Sequence, residues 1–178
     1  HVDPNPVIFI EHRWCHNLKS EVTDKKYELG KARLARIGKD ITIVACGYMV
    51  IEAMRAAEFL SPQMECEVID LQTTSHIDYD TIDESVRKTR KLLIVDDTWC
   101  AASMLAKIVP LSSELLFIGR ATSDDTYAPA THGLINGYYP TAHSIAKLLI
   151  RNLDFKIDIT PLISPHPDIP DSTFRGPF

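Results

Sequence analysis

Two adjacent carboxylates follow one of the apolar runs of the chain and are the first candidates for chemistry. Asp96 and Asp97 come directly after the run at residues 91–95. Such a pair can bind a metal ion or act as an acid, but more often it caps the helix that follows. A helix predicted to begin near Trp99 favours the capping interpretation.

Gly47 and a histidine pair are the next candidates. Gly47 precedes a segment with helical periodicity, and N–H groups at a helix start can hold a phosphate. The chain has neither a GxGxxG nor a GxxxxGK[S/T] motif, so a simple tight turn is favoured. His12 and His16 have i, i+4 spacing, but their segment shows no convincing helical pattern. No serine stands in a G-x-S-x-G motif, so the residues alone predict no catalytic constellation.

Composition narrows the class of protein. The 178 residues are 45% hydrophobic and 24% charged, which is typical of a globular domain with a real core. A net charge of −5 gives no basic footprint for nucleic acid, and no apolar run is long enough to cross a membrane. The four cysteines show no CxxC pairing, so neither zinc nor a disulfide framework is expected, and a reducing, cytoplasmic setting is the default.

The elements that position these residues begin with a βαβ unit. An apolar, β-branched run at 41–45 predicts a buried strand, and apolar residues from Met49 to Leu60 recur at helical spacing. A second strand is predicted at 66–71. Strand, glycine turn, helix and strand within little more than thirty residues predict a parallel strand pair.

Further elements repeat this pattern. Strands are predicted at 91–95 and 115–119, with an edge strand at 31–36 that forms an antiparallel hairpin with the strand at 41–45. An apolar run at 6–11 predicts another strand, which we expect to be the last strand of a preceding domain. Helices are predicted from an Asp78 cap to about Arg90, from 99 to 109, and from a Thr141 cap to about Asn152. The proline-rich segment after Asp154 predicts an extended path over the surface.

The predicted architecture is a three-layer α/β/α open sheet, mostly parallel, with one antiparallel edge strand. Ligands of such sheets bind at the carboxyl ends of the strands. Those ends carry residues 46–47, 70–72, 96–97 and 119–120. A crevice at this edge is therefore the predicted place for any ligand.

The order of several short motifs resembles one family. Residues 5–14, 29–32, 38–44, 67–71 and 77–78 look like the β subunit of thiamine-diphosphate-dependent 2-oxo acid dehydrogenases, of the pyruvate and branched-chain type. The pattern continues through residues 85–89 and 93–96 and then through Trp99, Arg120, Asp125, Pro129, Tyr139 and Pro140. The similarity runs from about Asp3 to Ile150, and it identifies the greater part of the chain as a transketolase-type C-terminal domain.

The resemblance implies a division of labour within a longer parent protein. In this family a preceding domain carries the glutamate that activates the cofactor and a histidine that serves the reaction. This polypeptide is therefore expected to hold no catalytic, cofactor-binding or metal-binding residue. The parent would use thiamine diphosphate and magnesium. The C-terminal domain would dimerise, with an α subunit and an acyltransferase core as partners, in the cytoplasm or a mitochondrial matrix.

The expected domain organisation has three parts. Residues 1–28 are the last strand of the pyrimidine-binding domain and a linker, 29–152 are the transketolase C-terminal-like domain, and 153–178 are a proline-rich tail. Candidates for an interface or a crevice are Gly47, Asp70, Gln72, His76, Asp96, Arg120, Asp125 and Tyr139. The alternative to an assembly domain is a free-standing α/β domain that binds a small molecule or anion in the strand-end crevice.

The sequence also departs from the family pattern at several positions. Relatives tend to have arginine at Gln72, proline at His76 and glycine near Ser103. Tyr127 and His132 stand where prolines are usual. These differences leave the fold prediction unchanged and bear on the substrate.

Overall fold

A five-stranded sheet forms the centre of the protein, whose computed structural model describes residues 4–19, 27–99, 108 and 115–164. The strands are β1 (Arg33–Arg36), β2 (Ile41–Ala45), β3 (Cys66–Asp70), β4 (Lys91–Trp99) and β5 (Phe117–Ser123). Their spatial order is β1-β3-β2-β4-β5. β1 runs antiparallel to β3, and every other neighbouring pair is parallel.

Alternating side chains of the central strands feed two separate cores. Ile43 of β2 lies opposite Val68 and Leu93, and all three face the same apolar cluster. The next residue, Val44, faces the second cluster together with Ile94. Because both faces are covered, the central strands are mainly apolar, as the sequence indicated, with Thr42 and Glu67 as buried polar residues.

Helices cover both faces of the sheet. They are α1 (Tyr48–Leu60), α2 (Tyr79–Thr89), a short α3 (His132–Ile135) and α4 (Ala142–Asn152). α1 and α4 pack on the face of the first cluster, while α2 packs on the face of the second. The predicted mixed sheet with one antiparallel strand is confirmed. None of the helices in the described residues has both the length and the apolar character that crossing a membrane requires.

Two of the predicted helix caps, Asp78 and Thr141, are present. The side chain of Asp78 accepts the N–H of Thr81 at the start of α2. Thr141 caps α4 and forms a reciprocal capping box with Ser144.

The predicted hairpin between β1 and β2 is wrong, because β1 pairs with β3 instead. The connecting residues cross the start of β3. There the N–H groups of Lys39 and Asp40 both donate to the carbonyl of Glu65, at 3.0 Å each. Gly38 lies so close that an added Cβ would be 2.3 Å from the carbonyl carbon of Cys66. The chain therefore passes over β3 and continues on its far side, so β1 and β2 cannot be neighbours.

Asp96 and Asp97 do not cap a helix that begins at Trp99. β4 continues through them, and Trp99 is still paired with Ser123 of β5 after an irregularity in register. The Asp96 carboxylate instead accepts the N–H of Thr98 at 3.1 Å. Of the helix predicted after Trp99, only Ile108 is described, and it is helical and fully buried.

The predicted strand at residues 6–11 is also absent, since this segment pairs with no strand among the described residues. Its side chains are turned to solvent, and Ile8, Phe9 and Ile10 are 88%, 82% and 86% exposed. An apolar run forms a strand only where a neighbouring strand completes its hydrogen bonds. A one-turn 3-10 helix, Arg13–Asn17, follows it.

The segment after α4 is less superficial than predicted. A 3-10 turn, Thr160–Leu162, places Leu162 against the first core cluster, with only 8% of its surface exposed. Leu162 thereby fixes the position of this part of the tail on the domain. The expected tail from residue 165 onward lies outside the described residues.

Candidate functional site

The turn between β2 and α1 positions the start of a helix at the carboxyl edge of the sheet. Gly47 adopts φ 58° and ψ −133°, a conformation that favours glycine. A Cβ at Gly47 would meet nothing within 4 Å, so the backbone angle and not the space requires glycine here. The first residues of α1, including Tyr48 and Met49, line a cavity.

The acidic end of β3 is occupied by structural contacts. A carboxylate oxygen of Asp70 lies 3.0 Å from Nη2 of Arg33 on β1, and its other oxygen accepts the N–H of Gln72 at 3.2 Å. Gln72 has a φ of 56°, which the tight turn after β3 imposes. His76 bonds to the neighbouring Ser75 through Nδ1 at 3.0 Å. These side chains secure β1 and the following loop, and none of them lines the cavity beside α1.

The acidic pair at the end of β4 is divided between two environments. Asp96 is buried, whereas Asp97 is half-buried and lines the cavity beside α1. Burial raises the pKa of the Asp97 carboxyl, and the negative charge of Asp96 raises it further. Proximity to His12 acts in the opposite direction. The Asp97 carboxylate is therefore an ion kept in an environment that disfavours its charge.

The cavity has a volume of about 300 Å³, which is at the lower end of the range of small-molecule sites. It lies where the start of α1, the end of β4 and the start of α4 meet. Its walls include His12, Trp14, Tyr48, Asp97, Tyr139 and Leu162.

Three stacked or edge-packed rings form one wall of this cavity. The ring of His12 stacks on Tyr48 with a centroid distance of 5.2 Å, and Trp14 meets Tyr48 edge-on at 5.0 Å. Nδ1 of His12 accepts the N–H of Trp14 at 3.3 Å. The 3-10 helix that carries Trp14 is thus attached to α1 through aromatic contacts.

A buried ion pair lies on another side of the cavity. Both carboxylate oxygens of Glu52 contact Nη1 of Arg55, at 3.0 and 3.2 Å. The same carboxylate accepts the N–H of Ala142, the first residue of α4, at 2.6 Å. Glu52 therefore joins α1 to the positive end of the α4 dipole.

A second, smaller cavity of about 240 Å³ contains two of the predicted residues, Arg120 and Tyr139. Tyr139 lines both cavities and packs edge-on against Tyr138 at 4.8 Å. Arg120 is exposed at the rim, and Asp125 is exposed on the loop beyond β5. Of the eight predicted residues, the structure brings only Arg120 and Tyr139 into one cavity, and Gly47 stands beside the larger one.

Among the described residues, the thiol of Cys66 is buried and those of Cys15 and Cys46 are half-buried. Burial raises the pKa of Cys46 to about 11 and that of Cys66 to about 12. Thiols with such pKa values are poor nucleophiles. Within the part of the chain that the structure describes, no group of three or more His, Cys, Asp or Glu side chains could hold a metal ion.

Sequence reasoning missed most of the larger cavity. His12, Trp14 and Leu162 come from segments that were predicted to be connections or tail. Glu52 and Arg55 gave one usable signal, since a glutamate with an arginine three residues later interrupts the apolar first half of the helix. The remaining residues are brought together only by long-range packing.

The fold and the strand-end positions now allow comparison with known proteins. Residues 30–145 match the family described as "Transketolase, C-terminal domain". The chain belongs to this family. The match covers more than half of the 178 residues and includes all five strands of the sheet.

Curated relatives are subunits of larger enzymes. The chain is 37% identical over 122 residues to the mitochondrial pyruvate dehydrogenase E1 component subunit β of Dictyostelium discoideum, covering 65% of this chain and 34% of that protein. It is 35% identical over 153 residues to the acetoin:2,6-dichlorophenolindophenol oxidoreductase subunit β of Cupriavidus necator, covering 81% and 45%. It is also 35% identical over 161 residues to a pyruvate dehydrogenase E1 component subunit β of Staphylococcus aureus, covering 85% and 49%. The chain thus spans about a third to a half of the length of these relatives.

Solved structures share the fold at low sequence identity. A split-gene transketolase, described as an inactive β4 tetramer, aligns with a TM-score of 0.66 at 23% identity and covers 78% of this chain and 46% of that one. A 2-oxoglutarate:ferredoxin oxidoreductase from Magnetococcus marinus aligns with a TM-score of 0.51 at 10% identity, covering 69% and 19%. Both similarities concern the fold alone. The resemblance to β subunits of 2-oxo acid dehydrogenases rests on the curated relatives.

Proposed function

We propose that this chain is the C-terminal dimerisation and assembly domain of the β subunit of a thiamine-diphosphate-dependent 2-oxo acid dehydrogenase. The observation that carries the proposal is the 35–37% identity to E1 β subunits and a related oxidoreductase β subunit. The parent would decarboxylate a 2-oxo acid and transfer the acyl group to a lipoyl arm. Its partners would be an α subunit and an acyltransferase core, in the cytoplasm or in a mitochondrial matrix like that of the Dictyostelium relative.

The polypeptide is proposed to be non-catalytic by itself. The resemblance assigns the glutamate and the histidine that serve the chemistry to a preceding domain of the parent. The described residues contribute cavities and ion pairs, but the proposal assigns none of them to thiamine diphosphate or magnesium. We therefore expect no heat of binding when thiamine diphosphate and Mg²⁺ are titrated into the protein, and no CO₂ release from pyruvate. Turnover at about 1 per second or faster would refute this expectation.

Two segments support a dimer surface. Residues 72–80 and 120–139 both lie at or after strand ends, and both carry exposed large side chains. Tyr79 is 39% exposed and Tyr127 is 88% exposed, and Leu134 is exposed as well. Aromatic residues are enriched at protein–protein interfaces relative to the rest of the surface. A two-fold dimer through these segments should bury more than about 1,000 Å².

Light scattering coupled to size-exclusion chromatography tests this proposal. The protein should elute as a dimer at micromolar concentration, and the double variant Tyr79→Ala/Tyr127→Ala should elute as a monomer. Tyr27→Ala removes an exposed aromatic outside both segments and should leave the dimer intact.

The apolar segment before the domain needs its own control. Ile8→Asp/Ile10→Asp would abolish any association that this exposed segment mediates. A dimer lost in this variant but retained in Tyr79→Ala/Tyr127→Ala would assign association to the segment and contradict the proposed surface. A monomeric wild-type chain would refute dimerisation altogether.

A second role, small-molecule binding, is favoured by one observation. The cavity of about 300 Å³ lies at the strand ends, where open α/β sheets hold their ligands. This role and the assembly role are compatible, since the cavity wall near Trp14 and Leu162 belongs to neither proposed contact segment.

A further inference from the structure

We propose that the cavity at the end of β4 binds a small organic ammonium ion that carries an apolar or aromatic group. The Asp97 carboxylate would hold the charge, and the rings of Trp14 and Tyr48 would pack against the rest of the ligand. A ligand of this class would occupy the cavity of the proposed small-molecule role, and its binding does not require the dimer of the assembly role.

The charge of the cavity favours a cation over an anion. Glu52 and Arg55 neutralise each other in a two-oxygen contact. Among residues 4–19, 27–99, 108 and 115–164, no basic side chain forms an ion pair with Asp97. His12 uses Nδ1 as an acceptor for the backbone N–H of Trp14. Its proximity to Asp97 offsets only part of the effect of burial and of Asp96, since the pKa of Asp97 remains raised.

The position of Asp97 makes it a receptor for positive charge. It is half-buried and lies beside a second carboxylate, Asp96, and burial and that neighbour both raise its pKa. A cation bound at Asp97 would relieve both effects, because an opposite charge nearby favours the ionised form. An anion would instead add a third negative charge to the end of β4.

The aromatic wall suits the body of such a ligand. Trp14 and Tyr48 meet edge-on, and His12 stacks on Tyr48, so the three rings form one continuous surface. Tryptophan and tyrosine faces attract organic cations and pack well against apolar groups. Leu162 closes the cavity with an apolar side chain from the opposite end of the chain.

The site is built from the matched domain and from the segments on both sides of it. The family match covers residues 30–145, whereas His12 and Trp14 precede it and Leu162 follows it. The matched domain contributes Tyr48 from α1 and Asp97 from β4, and the flanking segments add further walls to the strand-end cavity. The argued residues also lie outside the proposed dimer segments, residues 72–80 and 120–139.

Three probes of similar shape and different charge test the proposal: benzylammonium, benzyl alcohol and benzoate. The chain has two tryptophans, so the ¹H–¹⁵N correlation spectrum should show two indole signals. Trp14 lines the cavity, and Trp99, whose indole N–H donates to Tyr138, does not. Trp99→Phe assigns the two signals. Benzylammonium should shift the Trp14 signal saturably and leave that of Trp99 unchanged.

The affinities should rank by charge. Benzylammonium should bind at least about tenfold more tightly than benzyl alcohol, and benzoate should not bind, because one charge contact is typically worth a factor of about ten. Asp97→Asn should weaken benzylammonium about tenfold and leave benzyl alcohol unchanged. Asp125→Asn, which removes an exposed carboxylate outside the cavity, should bind like the wild type.

Several outcomes would overturn the proposal. These are equal binding of the alcohol and the ammonium ion, an unchanged affinity in Asp97→Asn, or no shift of Trp14 with any probe. Thermal unfolding checks that Asp97→Asn is folded. Leu162→Trp offers a second variant, which fills the cavity without changing its charge and should abolish binding. Failure of these titrations would leave the dimer intact in light scattering, so the two proposals can fail separately.

Discussion

The Glu52–Arg55 pair gives the sharpest stability prediction, because three contacts depend on one carboxylate. Glu52→Ala removes both contacts to the Arg55 guanidinium and the acceptor for the N–H of Ala142. The side chains of Arg55 and Glu52 are 12% and 5% exposed, so water cannot replace the lost partner freely. The substitution should loosen the packing of α4 on α1.

The magnitude follows from the burial of the pair. Breaking a buried ion pair by removing one partner costs about 3–5 kcal/mol, and an orphaned N–H adds about 1 kcal/mol or more. Arg55 keeps another contact, which reduces the first contribution. We therefore expect Glu52→Ala to lower the free energy of unfolding by about 4 kcal/mol. Glu52→Gln keeps an acceptor for Ala142 and should cost about 2 kcal/mol.

Urea unfolding measures these differences, with an exposed ion pair as the control. Lys39 and Glu65 lie 3.1 Å apart with 69% and 51% of their side chains exposed, so Glu65→Ala should cost less than about 1 kcal/mol. The double variant Glu52→Ala/Arg55→Ala should be less destabilised than the sum of the two single changes, since it leaves no unpaired charge. If Glu52→Ala costs no more than Glu65→Ala, the pair does not join α1 to α4 as argued.

Three further changes are predicted. Gly38→Ala should destabilise the fold by at least about 2 kcal/mol in urea unfolding, because the added Cβ would lie 2.3–2.4 Å from backbone atoms at the start of β3. The control is Gly133→Ala, whose added Cβ would meet open space, and it should be neutral or slightly stabilising. Burial would raise the pKa of Asp78, but hydrogen bonds from the N–H groups of Ala32 and Thr81 lower this pKa overall. Asp78 is therefore ionised at pH 7, where its cap should stabilise the fold by about 1 kcal/mol. In Asp78→Ala the deficit should shrink as the pH falls below the unfolded pKa of about 3.9 and through the lower folded value. The folded pKa of Asp97 is raised, so its ionised form is penalised at neutral pH, and Asp97→Asn should be more stable than wild type at pH 7. That gain should disappear near pH 3, where Asp97 is protonated in both states. If the difference in unfolding free energy between a variant and the wild type is the same at pH 3 and at pH 7, the pH prediction for that variant is wrong.

The parallel core could be predicted because its signals are local. Both faces of β2 are covered, so all five residues of Ile41–Ala45 are buried and the strand is a continuous apolar run. The ends of α2 and α4 follow from Asp78 and Thr141, whose side chains cap within three residues. Contacts at such short range leave their pattern in the sequence.

The pairing of β1 could not be predicted, because it depends on a crossing that no local pattern encodes. Gly38, Lys39 and Asp40 read as an ordinary turn, and only their contacts with Glu65 show that the chain passes over β3. The length of β4 was missed for a related reason. Its last residues are polar, and the strand continues because Trp99 finds a partner in β5.

The candidate site shows the same limit more strongly. Gly47, Asp70 and Asp96 were chosen because they end strands, and they do lie at that edge of the sheet. Their contacts differ. Asp70 forms an ion pair with Arg33, 37 residues earlier, whereas Asp96 is buried next to Asp97. Position at a strand end therefore predicted the region of the cavity. The environment of each side chain there could not be predicted, because it depends on contacts between residues far apart in the sequence.

The segments on both sides of the matched domain complete the cavity at the end of β4. The sheet and α1 place Tyr48 and Asp97 at the strand ends, and these elements lie inside the family match. Trp14 before the match and Leu162 after it supply the remaining walls. A chain with the same sheet but other flanks would present Asp97 in an open crevice, where water would solvate the carboxylate and its raised pKa would return toward the ordinary value. The affinity for an ammonium ion would fall with it, since charge contacts weaken in a high dielectric. The environment of Asp97 at the end of β4 thus depends on segments outside residues 30–145, and the cavity should be lost when Trp14 or Leu162 is replaced, even though the sheet is unchanged.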